Sequence, residues 1–250
     1  MALETVALFL ALLIGLSLGA LGSGGSIVTL PILVYVAGVA PESAVGMSMA
    51  IVGGTSLAGA FLHWWRGTLV PRIVVLFSVF GMAGAYVGSI GTHLVSASVL
   101  MSLFSILMLI VGTRMLFGKQ PVDATARVCV PSRCVPAAFL VGLVTGFLGV
   151  GGGFLIVPAL VWFAGIDTKK AIGTSLGIIA ANSVAGLSGQ MQYAHWDWAL
   201  TGRFVVCALI GMGAGFPIAR RTPEQALRKA FAIVLIAVSA AIAWQVIYRR

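Results

Sequence analysis

The sequence predicts an all-α polytopic membrane protein built from two inverted repeats, each of about five transmembrane or re-entrant helices. Three observations predict it. Of 250 residues, 60% are hydrophobic and only 8% are charged, where a soluble domain carries about 25% charged residues. The apolar residues gather into ten runs separated by short polar or glycine-rich breaks. The two halves also align on one another without a gap, with Gly15 falling on Gly142 and every later match keeping that register.

The same composition excludes a soluble fold, a disordered chain and a disulfide framework. The formal net charge is +9, but the basic residues are scattered between apolar runs and form no stripe that would track nucleic acid. A transmembrane helix takes roughly 20 residues, so the chain has room for about ten helices and for no sizeable soluble domain. The three cysteines, Cys129, Cys134 and Cys207, are odd in number and irregularly spaced. That pattern argues for reduced thiols, and without a nearby histidine Cys129 and Cys134 do not make a metal site.

The first run, at about 3–22, lacks a basic leading segment and a small-residue cleavage site, so it reads as an uncleaved helix. The second, at about 26–40, is short for a full span. It either crosses or re-enters, and the sequence leaves that open. Runs three to five lie at about 43–63, 70–91 and 95–117. The polar stretch GKQPVDATARVCVPSR at 118–133 is a linker between residues 1–117 and 134–250. The order then recurs at about 134–149, 153–166, 169–189, 198–219 and 226–248.

The internal match is more than shared composition. Gly19, Gly22, Gly24 and Gly25 fall on Gly146, Gly149, Gly151 and Gly152, Pro31 on Pro158, and Gly38 on Gly165. Gly84 and Gly88 fall on Gly211 and Gly215, and Ser56 on Ser183. Chance glycines would not keep one register over such a distance, so a duplicated unit is expected.

Orientation follows from Lys and Arg in the connections. With five segments per repeat, twelve of the 15 basic residues fall on one side, leaving only Arg203, Arg249 and Arg250 on the other. With four crossings per repeat the split falls to 9 against 6 over the same residues. Five is therefore preferred, which inverts the halves, puts the central linker in the cytoplasm and both termini outside it. Inverted repeats with short, glycine-interrupted segments at matching positions point to a transporter, with its site near the midplane at the repeat interface.

Two sets of residues are candidates for that site. The glycine clusters LGSGGSIVTLP at 21–31 and LGVGGGFLIVP at 148–158 can turn sharply and present backbone N–H groups to an anion. They contribute Ser23, Gly24, Gly25 and Ser26, and Gly151, Gly152 and Gly153, with the following helix expected to begin at Ser26 or Gly153. Gly15 and Gly19 read instead as helix-packing residues. The second set lies on the third segment of each repeat: Thr55 and Ser56, then Thr174, Ser175, Asn182 and Ser183. Thr55, Gly59 and His63 share one helix face at a spacing of four, as do Asn182, Gly186 and Gln190. Each could bond an oxyanion, or could equally bond a neighbouring helix or its own backbone. His63 and Gln190, with Arg72 and Arg203 near the start of each fourth segment, are candidates for gating or coupling, although an arginine at a helix end more often only snorkels.

All six acids, Glu4, Glu42, Asp123, Asp167, Asp197 and Glu224, lie at segment ends or in connections. A carboxylate proton relay and a buried cation site are therefore not expected, and an uncharged or positive site suits an anion. The string GTSLG at 173–177 raises a rival, an intramembrane serine hydrolase using Ser175 with His63 or His195. Against it, Ser175 lies in a helical run with no preceding strand, and the equivalent string GMSMA breaks the pattern.

The turn LGVGGGFLIVP, followed by AIGTSL at 171–176 and echoed at 21–31 and 44–49, resembles the sulfite exporter TauE/SafE family across essentially the whole chain. The resemblance implies an inner-membrane permease for sulfite or an organosulfonate, often an exporter, with Gly149, Gly151, Gly152, Gly153, Pro158, Gly173, Thr174 and Ser175 at the matching motif positions. Ser26 and Met47 depart from the second-half pattern at Gly153 and Thr174, so the two half-sites are not expected to be equivalent. The expected partners are a small anion and the lipid bilayer, with no cofactor, metal or nucleic acid. Homo-oligomerisation and a role as a subunit of a larger complex are left open.

Overall fold

The computed structural model describes residues 2–21, 24–117, 131–148, 153–190 and 197–248. Those residues are helical apart from short connections, with no strand among them. The first half contains α1 (Ala2–Leu21), α2 (Gly24–Pro31), α3 (Pro41–Trp65), α4 (Pro71–Gly91) and α5 (Ala97–Phe117). The second contains α6 (Pro131–Leu148), α7 (Gly153–Ala159), α8 (Thr168–Gln190), α9 (Trp198–Arg221) and α10 (Glu224–Tyr248). The starts of α3, α4 and α5 fall on those of α8, α9 and α10 in the register of the sequence match. Among the described residues five helices, Pro41–Trp65, Pro71–Gly91, Ser98–Phe117, Lys169–Gln190 and Trp198–Ile218, are long and apolar enough to cross a membrane. The protein is thus a multi-pass helical membrane protein.

The second segment of each half is shorter and irregular. α2 runs into a π-helical turn at Ile32–Val36, and α7 into one at Leu160–Ala164. Pro31 lies in the last turn of α2, and Pro158 in that of α7. Proline has no N–H, and its ring collides with the carbonyl four residues back, which weakens the helix there; the widened turn follows within two residues of it in each half. In the first half Ala37 N–H donates to the Ile32 carbonyl, five residues back, at 2.9 Å. The aligned glycines Gly38 and Gly165 then take φ of 70° and 65°, a left-handed backbone that a side chain disfavours. Each helical piece is thirteen residues or fewer, about 20 Å long at 1.5 Å per residue, against roughly 30 Å of hydrocarbon. α2 begins at Gly24, two residues earlier than the expected Ser26, while α7 begins at Gly153 as expected.

The helices pack across the halves. α1 lies along α9, and α6 along α4. Both pairs run parallel and meet backbone to backbone at glycines. A methyl at Gly15 or Gly19 would overlap the carbonyl of Ala208 or Met212, and one at Gly211 or Gly215 that of Leu12 or Leu16. In the equivalent pair, Gly142 and Gly146 meet Gly81 and Ala85, while Gly84 and Gly88 meet Phe139 and Leu143. Lipid supplies no hydrophobic force between helices, so close backbone approach and dispersion must hold them. The packing role expected of Gly15 and Gly19 is the observed one.

Equivalent helices meet in antiparallel pairs. Along α3 and α8, Met49 lies by Gly186, Gly53 by Ser183, Leu176 by Gly59, and His63 by Gly173. One number rises as the other falls, so the two helices cross in opposite directions near Thr55 and Asn182. α5 and α10 pair likewise: Ser105 Oγ donates to the Ser239 carbonyl at 2.9 Å, and Ser239 Oγ returns the bond to the Ser105 carbonyl at 2.9 Å. Two apolar cores flank the crossing. Leu33, Met47, Phe104, Phe204 and Leu235 build one, and Phe77, Ile156, Leu176 and Met212 build the other.

These helix directions sort the charges. Arg66, Arg72, Arg114, Lys169, Lys170 and Lys229 share one end of the bundle, with Arg203 at the other among the described side chains. The cysteines need a correction. Cys207 is a free thiol, but Cys134 is disulfide-bonded, its partner lying outside the described residues. An odd cysteine count argues only against a full framework; it leaves one pair free to form.

Candidate functional site

The crossing of α3 and α8 gathers uncharged polar groups in the middle of the bundle. Ser56, Asn182 and Ser183 are buried, and Ser56 Oγ, Ser183 Oγ and Asn182 Oδ1 have no hydrogen-bond partner. Ser78 Oγ on α4 is a fourth such atom. Ser78 precedes Gly81, which faces the Asn182 amide, and Gly53, which faces Ser183, precedes Ser56, each by one helical turn. All four orphans therefore lie within about one turn of the crossing. Ser48 Oγ is a fifth, two turns further out on α3. A buried polar atom left unpaired costs about 1–3 kcal/mol, and hydrocarbon offers no water to relieve it. Four such atoms within about one helical turn of the crossing are a cost that polar partners would remove.

The two halves contribute unequally. Thr55, the counterpart of Asn182, turns its hydroxyl into its own helix, donating to the carbonyls of Ile51 at 2.8 Å and Val52 at 3.1 Å. Ser175 does the same within α8, donating to the Ile172 carbonyl at 2.8 Å while fully buried. That arrangement lends nothing to the hydrolase reading, and His195 lies outside the described residues. Thr174 Oγ1 accepts the Val70 N–H at 3.1 Å. The hydroxyl so pins the connection between α3 and α4 to α8.

Beside it lies a second cluster, at the end of the bundle that carries Arg66. His63 Nδ1 shares a 2.7 Å hydrogen bond with Thr68 Oγ1, and the ring meets Phe216 edge-on at 5.0 Å. The Arg66 guanidinium sits 4.1 Å over the other partner in that contact, the Phe216 ring. A side chain on Gly173 would run into His63, since an added Cβ falls 2.6 Å from Nδ1. At the opposite end the counterparts of His63 and Phe216 are Gln190 and Ser89, where Gln190 Nε2 donates to the Ser89 carbonyl at 3.1 Å. Four of the expected residues, Thr174, His63, Gln190 and Gly173, thus join helix ends across the halves, away from the crossing. Arg72 and Arg203 are exposed near the starts of α4 and α9, at opposite ends.

Of the glycine-turn residues, Ser23, Gly151 and Gly152 lie outside the described residues. Gly24 and Gly25 open α2, and Gly153 opens α7. Ser26 and Thr29 are buried on α2 and engaged with partners, and α2 packs against α7. Sequence reasoning missed Ser78 and Gly81. Their counterparts are Val205 and Ala208, so the internal match that singled out the other residues was silent there.

A multi-pass helical bundle, two matched halves and a buried uncharged polar crossing define the class, a helical membrane protein of the kind that transports solutes. The chain belongs to the sulfite exporter TauE/SafE family, whose family model matches residues 7–242. It is 36% identical over 245 residues to a probable membrane transporter protein of Xylella fastidiosa strain 9a5c, covering 93% of this chain and 92% of the relative. A probable membrane transporter protein of the Temecula1 strain of that species is 37% identical over the same shares of the two chains. One from Haemophilus influenzae is 28% identical over 260 residues, 93% of this chain and 95% of its own.

Proposed function

We propose that this protein is a secondary or passive transporter that exports a small sulfur-containing anion, such as sulfite or an organosulfonate, across the inner membrane. The observation that carries the reading is the set of buried, unpartnered groups of Ser56, Ser78, Asn182 and Ser183 at the crossing of α3 and α8. Serine hydroxyls donate to oxyanions, and so does a primary amide, whose O and N exchange places on a half-turn of its last bond. The family membership supplies the substrate class.

The mechanism proposed is alternating access, with one inverted repeat rocking against the other about the crossing. The antiparallel run of α3 against α8 supports the inversion. The burial of the orphan atoms fits a site closed to both faces, as such a cycle would pass through. The basic end of the bundle is read as cytoplasmic, which puts the central linker inside and both termini outside. The glycine clusters Ser23–Ser26 and Gly151–Gly153 are proposed, from their sequence, as further backbone donors to the anion.

The test is flux in proteoliposomes that contain only this protein, loaded with sulfite or a sulfonate. Flux above empty liposomes, lost in Asn182→Ala and in a bulky Gly152 variant while both still purify folded, is the expected result. No flux of either anion from folded protein would refute the reading, and would move the protein toward a different substrate or a partner-dependent role.

A further inference from the structure

We infer that the crossing of α3 and α8 accepts its anion only in a form with a single negative charge, so that singly charged sulfonates and hydrogensulfite pass and doubly charged sulfate, sulfite and carboxylated sulfonates do not. This rests on the transport reading above and adds the charge state of the substrate.

The argument begins with what surrounds the orphan groups. No Asp, Glu, Lys or Arg occurs at 43–65 on α3, 73–91 on α4 or 171–190 on α8. Among the described residues, all the buried polar side chains are Ser, Thr, Asn or Gln, and every charged side chain is exposed. Arg72 is six residues or about 9 Å of helix from Ser78, and it is exposed at the end of α4. His63, the titratable group at 43–65 on α3, is seven residues from Ser56 and is engaged with Thr68 and Phe216 at the end of the bundle. Arg66 is ten residues from Ser56 and lies over the Phe216 ring.

A site of this kind can offer hydrogen bonds but no neutralising charge. The cost of moving an ion from water into a poorly polarisable interior grows as the square of its charge, so a dianion pays about four times what a monoanion pays. The return from donors grows only about linearly with charge. Three hydroxyls and one amide, shared among the oxygens of a single head group, can offset the smaller cost and fall short of the larger one. A tightly ringed site with many more donors, or with one buried cation, would not discriminate in this way.

The experiment uses three probes with the full-length protein in proteoliposomes, each corrected for empty liposomes. Methanesulfonate is singly charged and sulfate doubly charged at every working pH, while sulfite changes between the two forms near neutrality. Methanesulfonate is expected to move and sulfate to stay at background. Sulfite flux, divided by methanesulfonate flux at the same pH to cancel any titration of the protein, is expected to be at least about fivefold higher at about pH 6 than at about pH 8. Sulfate flux comparable to that of methanesulfonate overturns the charge rule and leaves the transport reading standing, as does a normalised sulfite flux that is flat or rises with pH. Absence of flux for all three overturns the transport reading and the charge rule with it.

Discussion

Gly81 on α4 and Asn182 on α8 are matched in size: a Cβ added at Gly81 would fall 2.7 Å from Asn182 Oδ1 and 2.9 Å from Nδ2. The glycine makes the space in which the amide lies. Gly81→Ala should therefore push the amide aside rather than break the fold, because the colliding atoms are the movable end of a side chain. We expect flux to drop at least about tenfold, the equivalent of roughly 1.4 kcal/mol, with thermal unfolding in detergent nearly unchanged. Wild-type flux from the variant would mean that the position of the amide is irrelevant to transport.

Asn182 and Thr55 are counterparts in the two halves but differ in what they do. Asn182 Oδ1 is unpartnered, while the Thr55 hydroxyl bonds back to Ile51 and Val52. Asn182→Ala is expected to reduce flux at least about tenfold and Thr55→Ala by less than about twofold, since the latter removes a bond made only to its own helix. Equal losses from the two would argue for a symmetric site.

The glycine seams predict a stability effect separate from transport. Gly142→Ala would drive a methyl into the Gly81 backbone, which cannot move away as a side chain can. Overpacking of this kind costs about 1–3 kcal/mol, so a lowered unfolding temperature by fluorescence-detected size exclusion is expected. Gly213, on α9 with nothing within 4 Å of an added Cβ, is the control: Gly213→Ala should leave the unfolding temperature unchanged.

Thr174 tests the docking of the α3–α4 connection. Thr174→Val keeps the shape but removes the acceptor for the Val70 N–H, at a cost of about 1–3 kcal/mol. Limited proteolysis should then cut within 66–70 at least about fivefold faster, while Thr174→Ser should restore protection. Unchanged cleavage in the valine variant would mean that the bond does not hold the loop.

Much of the architecture was legible in the chain. The runs at 43–63, 70–91 and 95–117 anticipate α3, α4 and α5 to within three residues at either end, because a bilayer admits few alternatives to a helix for an apolar run of that length. The packing role of Gly15 and Gly19 was legible because their spacing recurs at Gly142 and Gly146. Individual hydroxyls were not legible. Thr55, Ser56, Thr174 and Ser175 look alike in sequence, yet one bonds its own helix, one has no partner, one receives a loop N–H and one bonds its own helix again. Ser78 and Gly81 escaped notice because they have no echo in the second half.

By itself the sequence determined that the chain is helical, that it lies in a membrane, and that its two halves share one plan. Those follow from composition and spacing, which act locally or through the solvent and need no knowledge of neighbours. The tertiary structure alone decided that equivalent helices meet in antiparallel pairs, that Asn182 lies against Gly81, and which polar atoms stay unpaired. Those depend on where a helix from one half comes to rest on a helix from the other. In a bilayer, that contact is set by the close approach of small residues and a few hydrogen bonds far apart in the chain.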